Sequence, residues 1–271
     1  MSRVPEMRHC YIVRVFTRGD EGGNHLGVVT DSTGLSDNDM QAIAAELGFS
    51  ETIFLSWKVE SEPPTARIFT PTVELPFAGH PLVGACWVLS VMGPGGADRI
   101  ICGIGEVSLA VEGEMAWVET DLDQRIETLN DPIRTSTVHG LPPARIARRV
   151  MMPIPYLLLE LERPQDVASV ELDLSRLDQG DLIYVCAWES ETEVKARFFA
   201  PGVGVFEDPA TGSAAVALAA ALQSAGKKTG ELEIHQGEEV GQPSTIHLAW
   251  AEGRARIGGT VRKDEVRVLD Y

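Results

Sequence analysis

Lysine is scarce in this chain. Lys58, Lys195, Lys227, Lys228 and Lys263 are the full set. None lies in a recurring motif, so a Schiff base to pyridoxal phosphate has no obvious anchor. Cysteine is scarce as well. Cys10, Cys86, Cys102 and Cys186 show neither metal-ligand spacing nor a dense disulfide framework, and reduced, buried thiols are the expectation. Met1 to Cys10 has no apolar signal-peptide core, and no window is long and apolar enough to span a bilayer, which points to a cytoplasmic protein. Positive charge is in short supply: the 271 residues carry a formal net charge of −17. Nucleic acid and anionic membrane surfaces both require a basic face, so neither is expected as a partner. A small-molecule substrate, which responds to the local field of its pocket, is not excluded. Gly-x-Ser-x-Gly, His-Glu-x-x-His and Walker motifs are all missing.

What is present is a repeat. Ala66-Arg67-Ile68-Phe69-Thr70-Pro71 is matched about half a chain later by Ala196-Arg197-Phe198-Phe199-Ala200-Pro201. After a loop, Gly79-His80-Pro81-Leu82-Val83-Gly84 is matched by Glu207-Asp208-Pro209-Ala210-Thr211-Gly212-Ser213. Each copy reads as a short strand closed by proline, then a proline at the first helical turn with His80 or Asp208 as cap. The helices that follow, about Leu82 to Met92 and about Thr211 to Ala225, are apolar on nearly every side, which marks them as buried. Two buried helices that each present an electropositive N-terminus can converge on one small anion. The alternative is two strand–helix units that merely pack.

Other elements follow from periodicity and turn chemistry. Tyr11 to Phe16 and Leu26 to Thr30 read as strands around a Gly22-Gly23-Asn24 turn. Ser36 to Asp39 resembles a capping box opening an amphipathic helix, which Gly48 ends. Asp121 to Pro132 reads as a polar link between halves. Tyr156 to Leu161 and Leu182 to Ala187 read as strands, and Asp166 to Leu177 as an amphipathic helix. Late strands are expected at Leu232–His235, Ser244–Ala249, Ala255–Ile257 and Val266–Leu269. The pattern is α+β, with two similar lobes. The expected division is an N-terminal lobe at 1–125 and a C-terminal lobe at 126–271, with the last strand able to cross back.

Three titratable residues stand out. Glu51 lies between a helix end and an apolar strand, where burial raises a carboxyl pKa toward the range useful for proton transfer. A solvated or capping glutamate is the plainer reading. His80 at a helix start is disposed to stay neutral, although a lone histidine is more often structural. Asp208 takes the matching place in the second copy, where helix capping alone accounts for it. The pairing of a titratable group at the same place in both copies argues for function. Gly212 and Ser213 offer donors suited to a carboxylate.

These residues carry a resemblance. Phe16-Thr17, Gly23-Asn24, Ser50-Glu51-Thr52, Phe69-Thr70-Pro71, Glu74 to Pro81 with Gly84, Glu207 to Ala214, and Gly258-Gly259 occur in the order found in the phenazine-biosynthesis PhzF-like isomerases, which share the diaminopimelate epimerase fold. The resemblance implies two lobes, each a rolled mixed sheet around a buried central helix, with the active site between them, and a homodimer. It implies a cofactor-independent isomerase, free of metal, with Glu51 as base and then acid, supported by His80 and Asp208. Groups at Gly79, Gly212 and Ser213 would bind a carboxylate-bearing substrate. A non-catalytic metabolite- or protein-binding relative is the rival expectation. The chain departs from the family at Asn24-His25, where Asn-Pro is usual, and in a longer, more basic segment at Thr135 to Pro153. Related epimerases use paired cysteines at the two helix starts. None lies at 78–81 or 208–213 here, which disfavours two-thiol racemisation, and Cys86 is expected to be a packing residue.

Overall fold

The computed structural model describes residues 7–57, 62–92, 97–122, 124–138, 140–152, 154–172 and 182–271. The first half runs β1 (Met7–Val15), β2 (Asn24–Val29), α1 (Asp37–Leu47), β3 (Glu51–Ser56), β4 (Thr65–Phe69), β5 (Glu74–Leu75) and α2 (Gly79–Met92). It continues through β6 (Arg99–Cys102), β7 (Gly105–Glu112), β8 (Met115–Asp121) and β9 (Arg125–Thr128). The second half comprises α3 (Pro132–Val138), β10 (Ile146–Met151), β11 (Tyr156–Glu160), α4 (Pro164–Ala168), β12 (Leu182–Trp188), β13 (Glu193–Ala200), β14 (Val205–Asp208) and α5 (Gly212–Ser224). It closes with β15 (Gly230–Gln236), β16 (Ser244–Ala251) and β17 (Arg254–Asp270).

The repeat in the sequence is a repeat of topology. In the first lobe β2 pairs parallel with β3, β3 antiparallel with β4, β4 antiparallel with β5, and β4 parallel with β6. In the second, β11 pairs parallel with β12, β12 antiparallel with β13, β13 antiparallel with β14, and β13 parallel with β15. Each sheet rolls around its own helix, and among the described residues the strands form one continuous 17-stranded sheet. β17 joins the lobes: its start pairs with both β16 and β8, and its remainder with β1. Gly79 through Cys86 of α2 and Gly212 through Leu222 of α5 are all buried. An all-round apolar helix demands that enclosure.

The Arg-x-Phe signature has a structural reason. Arg67 makes a bidentate pair with Glu74 (2.7 and 2.6 Å) and lies over the Phe69 ring (5.1 Å). Arg197 does the same with Glu207 (2.7 and 2.8 Å) and Phe199 (4.9 Å). Each clamp ties the strand before the turn to the strand after it by charge-assisted forks and ring stacking. Turn and helix start are thereby held in register.

The capping box of α1 is as expected, with Ser36 and Asp39 exchanging hydrogen bonds and Gly48 left-handed (φ 67°) at the C-terminus. Several expectations need correction. Where the sequence suggests a helix over Asp166–Leu177, α4 ends at Ala168. Arg197 Nη1 takes the carbonyls of Val170 (2.7 Å), Ala168 (3.3 Å) and Val167 (3.4 Å), which a longer helix would use itself. Residues 173–181 lie outside the described residues. The polar stretch Asp121–Pro132 contains β9, paired with β10. The two last strands, expected apart, are one long β17.

The helix starts differ as well. α2 begins two residues before Pro81, so His80 is inside the helix rather than capping it. α5 begins after Thr211, and Asp208 ends β14. Asp208 caps no backbone N–H because its oxygens are taken by the side chains of Asn24 and Thr211.

Candidate active site

The ends of four elements meet at one point. Glu51 opens β3, placed by α1's left-handed stop and by parallel pairing with Leu26 of β2. Asn24 opens β2, His80 lies in the first turn of α2, and Asp208 closes β14. All four are buried. His80 Nδ1 stands 3.4 Å from Glu51 Oε2 and 3.3 Å from Asn24 Nδ2. Asn24 Nδ2 donates to Asp208 Oδ1 (2.7 Å) and to the Ala210 carbonyl (3.2 Å). Thr211 Oγ1 donates to Asp208 Oδ2 (2.7 Å). The three titratable residues singled out in the sequence are thus one cluster.

Gly79 and Gly212 put the N-termini of α2 and α5 against each other. A Cβ on Gly79 would stand 2.7 Å from the Gly212 carbonyl carbon, and one on Gly212 would stand 3.1 Å from Gly79 Cα. Only glycine at both positions permits this backbone approach. Ser213, in the first turn of α5, shares a 2.8 Å hydrogen bond with the phenol of Tyr156.

A cavity of about 40 Å³ lies beside the cluster. Glu51, Asp208, Thr211 and Ser213 form its polar side, and the rest is largely apolar and aromatic, including Phe77, Met152, Tyr156 and Phe198. Among the described residues, no lysine or arginine lines it. The buried, largely apolar surroundings set the protonation states. Burial, then the charge of Asp208, holds the Glu51 carboxyl well above its ordinary range. Burial pushes Asp208 up to about 6, opposed by hydrogen bonds from Thr211, Ser50 and Asn24. It drives His80 down to about 3, opposed by a backbone contact from His25, which favours the neutral ring. Tyr156 is pushed up to about 12 by burial and, less strongly, by the Glu51 and Asp208 charges, against its bond to Ser213.

Sequence reasoning missed the roles of Asn24, Tyr156, Thr211 and Gln236. The sequence marks Asn24 as a turn residue and as part of the family motif, but not as a member of the site. The signal for Tyr156 was a phenol heading the otherwise apolar run Leu157-Leu158-Leu159. Gln236 carried no signal, since it reaches Asp208 only through the fold. The four cysteines are free and buried. Cys86 packs inside α2, as expected.

The comparisons with known proteins agree with this architecture. Residues 13–265 match the family model described as phenazine biosynthesis-like protein. The chain is 35% identical to an uncharacterized isomerase of Mesorhizobium japonicum, over 94% of this chain and 96% of that one. It is 32% identical to the trans-2,3-dihydro-3-hydroxyanthranilate isomerase of Pseudomonas chlororaphis, over 92% of each. The crystal structure of a PhzF-family protein from Enterococcus faecalis superposes with a TM-score of 0.80 at 23% identity, covering 98% of this chain and 100% of that one. The fold is therefore the two-lobed, diaminopimelate epimerase-like one, and the class of protein is an isomerase. The chain belongs to the phenazine biosynthesis-like family. Among the described residues no helix is long and apolar enough to cross a membrane.

Proposed function

We propose that this isomerase moves a proton from one carbon to another within a small, carboxylate-bearing metabolite, with Glu51 as the proton carrier and with neither cofactor nor metal. The observation that carries the reading is the Glu51–His80–Asp208 cluster, buried beside a largely apolar cavity, with the Glu51 carboxyl held above its ordinary range. A general acid/base is most effective when its pKa approaches the working pH. His80 and Asp208 orient the substrate. Gly79, Gly212 and Ser213 hold its carboxylate at the abutting helix N-termini, which take the place of a cationic side chain, none being found among the described lining residues. Tyr156 shares Ser213 and adds a neutral donor at that end.

A cavity of about 40 Å³ is well below the roughly 150 Å³ that holds a benzene-sized ring, so binding must widen it. The mostly apolar walls favour a compact, planar body. The substrate for which the Pseudomonas chlororaphis relative is named, trans-2,3-dihydro-3-hydroxyanthranilate, is the first compound to try. A homodimer, on the family resemblance, and a cytoplasmic setting, the sequence-based expectation, are part of the proposal. The test is turnover by protein dialysed against a chelator. The rate should equal that of untreated protein. Loss of activity restored by a metal ion, or a visible chromophore whose removal abolishes turnover, would overturn the cofactor-free mechanism.

A further inference from the structure

The charge that the site leaves unpaired says what its ligand must carry, a point that rests on the proposed function and narrows its substrate class. Two carboxyls, Glu51 and Asp208, line the cavity, and among the described residues no lysine or arginine does. Burial favours the neutral ring of His80. The guanidinium of Arg197 on β13 is taken by Glu207, with which it makes two bonds.

Of two carboxyls facing one enclosed space, one gives up its charge first. Asp208 is the better supported as an anion. Asn24 Nδ2 donates to its Oδ1 (2.7 Å), Thr211 Oγ1 donates to its Oδ2 (2.7 Å), and Ser50 is a further donor. Burial and the Asp208 charge hold Glu51 toward its neutral form. The donors to Asp208 are themselves uncharged. They fill hydrogen-bonding capacity but leave a net negative charge with no cation against it among the described residues, whereas buried charges are normally paired. A carboxylate has about four acceptor sites, so one remains after Asn24, Thr211 and Ser50. On the same cavity Glu51 Oε2 is buried and has no hydrogen-bond partner among the described residues. An ammonium group brings three N–H donors and a positive charge, which is what these two acceptors lack.

The second subsite fixes where that group sits on the molecule. Thr211, whose hydroxyl is on Asp208, is followed directly by Gly212 and Ser213, which the proposed function gives to the substrate carboxylate. The anion of Asp208 and the N-terminus of α5 are therefore neighbours. A ligand that reaches both has its amine on the carbon bearing the carboxyl or on the next one.

We infer that the substrate is a small α- or β-amino acid bound as its zwitterion, and that Asp208 is the counter-ion of its ammonium group. The carboxylate lies at the helix N-termini, and the apolar body lies against Phe77, Tyr156 and Phe198. Asp208 thereby selects amines over alcohols and over plain carboxylic acids, because an uncharged group would leave a buried anion unpaired.

Calorimetric titration of the ligand-free protein at neutral pH tests this with unreactive probes. These are cyclohexanecarboxylate and its 2-hydroxy and 2-amino derivatives, the last two as cis and trans isomers. None has a double bond to shift, so binding is read apart from turnover, and failure here is distinguishable from failure of the isomerase reading. The amino acid, in its better-fitting isomer, should bind about 10–100-fold more tightly than the hydroxy acid or the plain acid, the usual worth of a hydrogen bond to a charged group. That advantage should vanish in Asp208→Asn and persist in Glu51→Gln. A hydroxy or plain acid that binds wild type as tightly as the amino acid would overturn the inference. So would an amine preference that survives Asp208→Asn or is lost in Glu51→Gln, or an amino acid that does not bind in either isomer. If Asp208→Asn does not fold, the ranking on wild type and on Glu51→Gln decides.

Discussion

Glu51→Gln is expected to fold and bind ligand but to lose turnover by about 10²–10⁴-fold, the usual worth of a general acid/base. That corresponds to roughly 3–5 kcal/mol of barrier. Glutamine keeps the shape and can face His80 Nδ1 with an N–H donor, but it cannot give up or take a proton. The loss should therefore fall on kcat, with ligand affinity nearly unchanged. His80→Ala and Asp208→Asn should shift binding more than chemistry, since the roles proposed for these residues are to hold and polarise. Asparagine at 208 meets a specific difficulty. Asn24 and Thr211 both donate to the carboxylate, so an amide nitrogen on either side would face a donor. A Glu51→Gln protein that keeps more than about a tenth of wild-type kcat, less than the low end of the acid/base effect, would remove Glu51 as proton carrier.

Gly79→Ala should be strongly destabilising. The added Cβ would stand 2.7 Å from the carbonyl carbon of Gly212, 2.8 Å from its Cα and 2.7 Å from Ile257 Cδ1. Two of these three are backbone atoms of a helix enclosed on all sides, which cannot step aside as a side chain can. Overpacking of this kind costs about 1–3 kcal/mol and sometimes more. With the backbone as obstacle we expect about 3 kcal/mol or above, a fall in Tm of roughly 6–12 °C for a chain of this size. Gly84→Ala is the control. Its Cβ meets the side-chain methyls of Leu26 (2.4 Å) and Val15 (2.9 Å), which can rotate, so the loss should be clearly smaller. Equal melting temperatures for Gly79→Ala and wild type would show that the two helix N-termini are not in this contact.

How far the sequence reads through to this structure depends on whether each feature is local. The capping box at Ser36–Asp39, the glycine stop at Gly48 and the two buried apolar helices are written in consecutive residues, and apart from the exact helix starts they appear where expected. The repeated Ala-Arg-x-Phe-x-Pro reads through to duplicated topology because each arginine serves the same clamp, to Glu74 in one lobe and Glu207 in the other. Features that depend on distant partners were not legible. α4 stops short because Arg197, far along the chain, claims its carbonyls. Asp208 is no helix cap because Asn24, in the other lobe, takes one of its oxygens. The candidate site divides the same way. Glu51, His80 and Asp208 sit in motifs, whereas Gln236 and Tyr156 join the cluster only because sheet and helix bring β15 and β11 to the start of α5.

The most direct measurement of the central claim is isomerisation in D₂O by wild type and Glu51→Gln side by side, with the position of label in the product read by NMR. The account predicts a single deuterium at the newly protonated carbon for wild type. For Glu51→Gln that folds and binds, it predicts label accumulating about 10²–10⁴-fold more slowly. Deuterium placed at the same carbon, at a wild-type rate, by the Glu51→Gln protein would contradict it.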